Sequence, residues 1–268
     1  VLGATDGAWG AVGELPTSTL TSPLGGFGTA LAIHGGFAVV GAPDGAFEEG
    51  GGYVFLYDVA PNGRATVRGR RGQTGVADFD RFGASVAAGD GRFVVGAPGA
   101  EAVVVFTDDG AGGWVRQTLE PPSGVQTSFG ESVAISVDGS RIAVGAPDFG
   151  GDGETRGPGA VFVYALGGDG RFVLETRFDG FAEGGRFGTS VAVDGSLVVV
   201  GAPFDADYLG AAYVYQRGLL SDAWVVTDRI EGGAVESGMG GSVAAFGGFV
   251  LVHENWWGRA LLYTTLAE

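Results

Sequence analysis

The stretch RFGTSVAVDGSLVVVGAP, residues 186–203, sets two apolar runs on either side of Asp194-Gly195. Asp-Gly accepts the positive φ angles of a type I′ turn, so the stretch predicts a tight β-hairpin. Its first strand is the small-residue run after Phe187-Gly188, and its second is the Val-rich run that ends at Gly201-Ala202-Pro203. The layout recurs as GFGTALAIHGGFAVVGAP (26–43), RFGASVAAGDGRFVVGAP (81–98) and SFGESVAISVDGSRIAVGAP (128–147). A fifth copy, GMGGSVAAFGGFVLVHEN (238–255), keeps the spacing but loses the motif letters. The anchors Phe27, Phe82, Phe129, Phe187 and Met239 stand roughly 50 residues apart, the period of one four-stranded propeller blade.

Within each period a third strand follows the GAP end, at residues 52–57, 102–106, 160–164 and 211–215. A fourth is led by an aromatic, as at Trp114, Phe172 and Trp224. The fifth repeat stops after its third strand, residues 259–264. AWGAVGELP, residues 8–16, matches a fourth strand, with Trp9 and Leu15 standing where Trp114 and Leu119 stand. Residues 8–16 are therefore expected to complete the last blade, which would remove exposed sheet edges and tie down the ends. The fold expected is all-β: one propeller domain over residues 1–268, with five four-stranded blades closed by the N-terminal strand.

These motif ends resemble the FG-GAP repeat family, best known from the propeller heads of integrin α subunits, and most closely its short-loop secreted members. The resemblance implies an interaction or adhesion module in an extracellular or lumenal setting. Integrin-type repeats bind calcium through an Asp-rich loop between FG and GAP. Here that loop shrinks to Gly35-Gly36, Asp90-Gly91, Asp138-Gly139, Asp194-Gly195 or Gly247-Gly248, too few oxygen ligands for a hard cation.

Composition narrows the function further. The chain of 268 residues is 45% apolar with 54 Gly, too hydrophobic for disorder. Its net charge of −16, with Arg as the only basic residue besides two His, argues against nucleic acid and anionic lipid as partners. There is no Cys, which removes disulfides and thiolate chemistry. No apolar stretch reaches the ~18 residues of a membrane helix. The chain begins with Val1, as expected of a processed chain or a fragment, and its first residues lack a signal-peptide layout.

Strand direction places the two-to-three and four-to-one loops on one face, opposite the short hairpins. Long loops on a rigid scaffold are where binding residues gather. The candidate partner-binding residues are Asp148, Asp152, Glu154, Asp205, Asp207 and Tyr208, with Trp256 and Trp257 in the fifth repeat. Of these, Asp148, Asp152 and Glu154, or Asp205 and Asp207, are also the candidate ligands for calcium, although neither run has an EF-hand spacing. A basic flank is expected from Arg64, Arg68 and Arg70, which share strand parity, with Arg71 beside them. It reads as a charge-guarded edge or as a dock for an acidic protein or sulfated glycan. His34 and His253 fall on opposite faces, and no spacing suggests a catalytic triad. A protein partner without catalysis is the leading expectation. The alternatives are a lectin stacking a sugar on Tyr208, Trp256 or Trp257, and a hydrolase using loop carboxylates.

Overall fold

The computed structural model describes residues 2–5, 8–11, 15, 25–44, 52–72, 80–122, 127–152, 155–218, 221–233, 237–254 and 258–264. After a hairpin of β1 (Leu2–Thr5) and β2 (Ala8–Ala11), the strands fall into five antiparallel sheets in chain order. Blade 1 is β3 (Leu31–His34), β4 (Phe37–Ala42), β5 (Tyr53–Val59) and β6 (Ala65–Gly72). Blade 2 is β7 (Ser85–Gly89), β8 (Arg92–Ala97), β9 (Ala102–Asp108) and β10 (Trp114–Leu119). Blade 3 is β11 (Ser132–Ile135), β12 (Arg141–Ala146), β13 (Ala160–Leu166) and β14 (Phe172–Asp179). Blade 4 is β15 (Ser190–Asp194), β16 (Leu197–Ala202), β17 (Ala211–Arg217) and β18 (Trp224–Glu231), and blade 5 is β19 (Met239–Phe246), β20 (Phe249–Glu254) and β21 (Arg259–Thr264). This is the expected all-β, five-blade propeller arrangement, with the hairpins and strands where the repeat places them.

Blades pack face on face, and the motif ends interlock them. The Phe of each FG dipeptide in blades 2, 3 and 4 is buried, a contribution of roughly 2–3 kcal/mol per ring. Phe129 meets Phe162 edge-on with centroids 5.4 Å apart, and Phe187 meets Tyr213 at 5.4 Å. The GAP glycines Gly41, Gly96, Gly145 and Gly201 lie directly under the carbonyls of the next blade's FG glycines, Gly83, Gly130, Gly188 and Gly240. A Cβ at any of the four would fall well inside contact distance of that oxygen. From the other side, the Ser85, Ser132 and Ser190 hydroxyls donate to the Gly130, Gly188 and Gly240 carbonyls at 2.7, 2.8 and 2.8 Å. The FG and GAP ends therefore meet between blades as well as within one, where the Gly28, Gly83, Gly130 and Gly188 amides donate to the Gly41, Gly96, Gly145 and Gly201 carbonyls.

The expected closure is corrected in one respect. β2 pairs with β1, Thr5 facing Ala8, and among the described residues no ladder joins it to β21. The intervening residues are Asp6-Gly7, a dipeptide that favours a tight turn, and pairing across so short a loop costs far less chain entropy than reaching the far end of the domain. Leu15 nevertheless packs against the buried cluster of Val40, Ala42, Phe55 and Tyr57 in blade 1. That is the place Leu119 of blade 2 fills against Phe129 and Phe162 of blade 3.

The basic flank also differs. The ladder between β5 and β6 shifts by one residue between Leu56 and Tyr57, a bulge that breaks strand alternation. Arg68 turns toward blade 2, its guanidinium 5.1 Å from the Trp114 ring and 5.6 Å from Phe37, near Asp58 and Asp108. Arg70 lies over Tyr53 on the other side, at 4.9 Å. Arg68 is thus a cation joining two blades, while Arg71 donates to the Arg70 carbonyl and the Arg64 amide is held by Asn62.

Candidate functional site: the loop face

Between blades 2 and 3 the loop face holds a cavity of about 400 Å³, lined among others by Arg81, Glu101, Ser128, Glu131, Asp148 and Arg156. Glu101 directly precedes β9 in a left-handed conformation, φ 52°. Its carboxylate accepts from the backbone amides of Thr127, Ser128 and Phe129 at 3.0, 2.9 and 3.2 Å, and from the Thr127 hydroxyl. At the next two joints a backbone carbonyl does the same work: Pro158 accepts from the Phe187 amide at 3.0 Å, and Leu209 from the Met239 amide at 3.2 Å.

Asp148 follows the GAP end of blade 3. Its carboxylate accepts from the Ser128 hydroxyl at 2.6 Å and stands 3.7 Å from Arg156 and 3.8 Å from Arg186. Asp152 accepts from the Thr155 amide and hydroxyl at 2.7 and 2.8 Å. Asp152 is committed to these partners, while the Asp148 Oδ1 is buried without a hydrogen bond beside the two arginines, and among the described residues no group of three or more His, Asp or Glu converges as a metal site would require. Glu154, the third member expected there, lies outside the described residues, as do Trp256 and Trp257.

In blade 4 the two-to-three loop makes a single turn over Asp205–Tyr208 in which Ala206, Asp207 and Tyr208 have φ of 49°, 56° and 69°. The turn is left-handed, a conformation costing roughly 1–2 kcal/mol per non-glycine residue. Asp205 holds it. The buried carboxylate accepts from the Ala206 amide at 2.7 Å and from the Tyr213 hydroxyl, with the Arg229 guanidinium 3.4 Å away. Arg229 also donates to the Tyr213 oxygen at 2.9 Å. The result presents Asp207 and Tyr208 to solvent, Tyr208 edge-on to Phe204 with centroids at 5.6 Å. Beside it Phe181, exposed on the four-to-one loop, stacks on Tyr213 at 5.0 Å. Asp205 and Asp207 are therefore not paired ligands, because one is buried as a structural acceptor while the other faces water. Sequence reasoning missed Glu101, Arg186, Tyr213 and Arg229. The legible clue was at Glu101 alone, where the other three four-stranded blades have Gly before the third strand: Gly52, Gly159 and Gly210.

Burial pushes the Tyr213 phenol up to about 12, with the Asp205 carboxylate adding to the shift, and burial alone takes Tyr164 to about 12. An unfolded tyrosine ionises near 10. Above that pH the unfolded chain binds fewer protons than the native state, so stability present in full below about pH 10 is lost as pH rises toward 12. Alkaline titration should show tyrosinate absorbance and loss of β structure appearing together; these tyrosines ionising near 10 in a chain that stays folded would contradict this.

Residues 179–215 match the model of the FG-GAP repeat, a span running from the end of β14 through β17. No curated protein matches the sequence at a significant level. A crystal structure of a β-propeller-like protein from Lactobacillus plantarum superposes with a TM-score of 0.51 at 15% identity, over 75% of this chain and 54% of that one. The chain thus spans about half the length of that structure, and the likeness concerns the fold. Among the described residues no helix is long and apolar enough to cross a membrane.

Proposed function

We propose that this FG-GAP propeller is a non-catalytic interaction module that docks a protein partner on its loop face, as an adhesion or assembly subunit in an extracellular or lumenal setting. FG-GAP propellers in general mediate protein interactions. The observation that carries the finer reading is the pair of exposed aromatics Phe181 and Tyr208, both standing on a buried, hydrogen-bonded base. Exposed aromatic side chains held rigid are the anchors of protein interfaces, since little side-chain entropy remains to be lost on binding. The carboxylates Glu101, Asp148 and Asp205 each have cation, hydroxyl or amide partners already, which suits a binding surface better than a general acid and base. A net charge of −16 favours a partner with a basic contact surface.

Replacing Phe181 and Tyr208 together by Ser tests this. Retention of a partner from the native source by the unaltered protein and its loss by the double variant, at unchanged melting temperature, is the expected result. Equal retention by both would remove the loop face as the docking surface.

A further inference from the structure

At the joints after blades 1, 3 and 4 a glycine lets the third strand close on the next blade, where a Cβ at Gly52, Gly159 or Gly210 would collide with the backbone of Phe82, Phe187 or Met239. The joint between blades 2 and 3 has Glu101 in that place, and there the loop face opens into the cavity of about 400 Å³. A cleft of that volume takes a small molecule. The Glu101 carboxylate itself is occupied by the amides of Thr127, Ser128 and Phe129, so its part is to hold the joint open.

The cavity walls carry both signs of charge in pairs that do not close. Arg81 stands 3.5 Å from Glu131, and Asp148 stands 3.7 Å from Arg156 and 3.8 Å from Arg186, beyond the roughly 3.2 Å of a good N–H···O bond. The Asp148 Oδ1 and the Arg186 Nε are buried with no hydrogen bond at all. Buried polar atoms left in this way call for a partner from outside the chain.

We infer that this cavity binds a neutral sugar, whose adjacent hydroxyls bridge the guanidinium–carboxylate pairs. Within each pair the two charges lie no more than 3.8 Å apart, so an ion placed against one member is repelled almost as strongly by the other. A hydroxyl is donor and acceptor in one atom. It donates to the carboxylate and accepts from the guanidinium, and both bonds are charge-assisted. The neighbouring hydroxyls of a pyranose ring supply one such oxygen for the Arg81–Glu131 pair and another for Asp148 and Arg156. Pro98, also in the wall, offers an apolar surface to the C–H face of the ring. The Arg156 side chain is 65% exposed and can turn aside to admit the ligand to Asp148. The site lies apart from Phe181 and Tyr208 and needs no protein partner.

Saturation-transfer NMR and calorimetry with glucose, galactose, mannose, N-acetylglucosamine, lactose and maltose test this. At least one of these sugars is expected to bind, with an affinity that changes little with salt because the ligand is uncharged. Asp148→Asn and Glu131→Gln should each weaken binding about tenfold, by removing a charged acceptor. Glu131 is partly exposed, so Glu131→Gln should do so at an unchanged melting temperature. Glu101→Gly, which lets the two blades close, should abolish binding in a folded protein. Binding of none of the six sugars, tighter binding of glycine or arginine than of any sugar, or sugar binding that survives all three substitutions unchanged would each overturn the proposal.

Discussion

Gly145→Ala is expected to cost about 3 kcal/mol of folding stability, and Gly145→Val to prevent folding. Gly145 sits inside β12, paired with Ser132 and Val161, in a backbone conformation that any residue adopts. In such a position Ala would ordinarily stabilise by roughly 0.5–1 kcal/mol, because the unfolded chain has less freedom to lose. Here the added methyl would meet the Gly188 carbonyl of the next blade and the Ser132 hydroxyl that donates to it. Neither can yield without opening the joint, since the carbonyl belongs to a backbone anchored by the buried Phe187. Steric collision therefore outweighs propensity, and the sign reverses. Two comparisons isolate the cause. Ser132→Ala removes one hydrogen bond and should cost about 1 kcal/mol, while Gly168→Ala, where nothing lies near the Cβ position, should leave the denaturation midpoint unchanged or slightly higher. Equal midpoints for Gly145→Ala and Gly168→Ala would dismiss the interlock.

The same interlock explains why so much of the fold was legible. A glycine under a carbonyl, a phenylalanine in a closed pocket and a tight turn each tolerate few residues, so four of the five repeats write FG and GAP in the same letters and all five turn on Asp-Gly or Gly-Gly. The places where reading failed are those decided by a single insertion or by a choice between partners. The bulge beside Gly69 reverses which way Arg68 points; a glycine inside a strand hints at a bulge without saying which neighbour it leaves unpaired, so parity alone placed Arg68 with Arg70. Residues 8–16 resemble a fourth strand, and Leu15 does land where a preceding blade's leucine belongs. Yet β2 took the nearer edge offered by β1, a competition that similarity to other strands cannot rank. On the loop face the acidic residues stood out as a class, but their fates depend on arginines far away in sequence. Asp148 meets Arg186, and Asp205 meets Arg229. The left-handed turn at Ala206 is likewise invisible beforehand, since Ala has neither the bare backbone of Gly nor the polar side chain of Asn or Asp that favours it.

Glu101→Ala is expected to lose about 3 kcal/mol, more than any other carboxylate on the loop face. At the joints after blades 3 and 4 a glycine before the third strand, Gly159 or Gly210, lets the backbone come close enough to form a bridge to Phe187 or Met239. Blade 2 has Glu101 at that position, after a loop that is only the short turn Pro98–Ala100. Its Cβ keeps the backbones apart, and the carboxylate spans the gap to the Thr127, Ser128 and Phe129 amides. Removing it leaves part-buried donors without an acceptor, at roughly 1–3 kcal/mol for each one that water cannot reach, and retains a non-glycine residue at φ 52°. Glu101→Gly should be the milder change. It relieves the left-handed strain, by about 1 kcal/mol, and it frees the backbone to approach as it does after blades 3 and 4. Glu101→Gln keeps one strong acceptor and should fall between wild type and Ala. The order of denaturation midpoints, wild type above Gln and Gly and these above Ala, distinguishes a side chain standing in for a backbone bridge from a merely acidic loop. In the latter case Ala, Gly and Gln would differ little, and amide hydrogen exchange at Ser128 and Phe129 would stay as slow as in the unaltered protein.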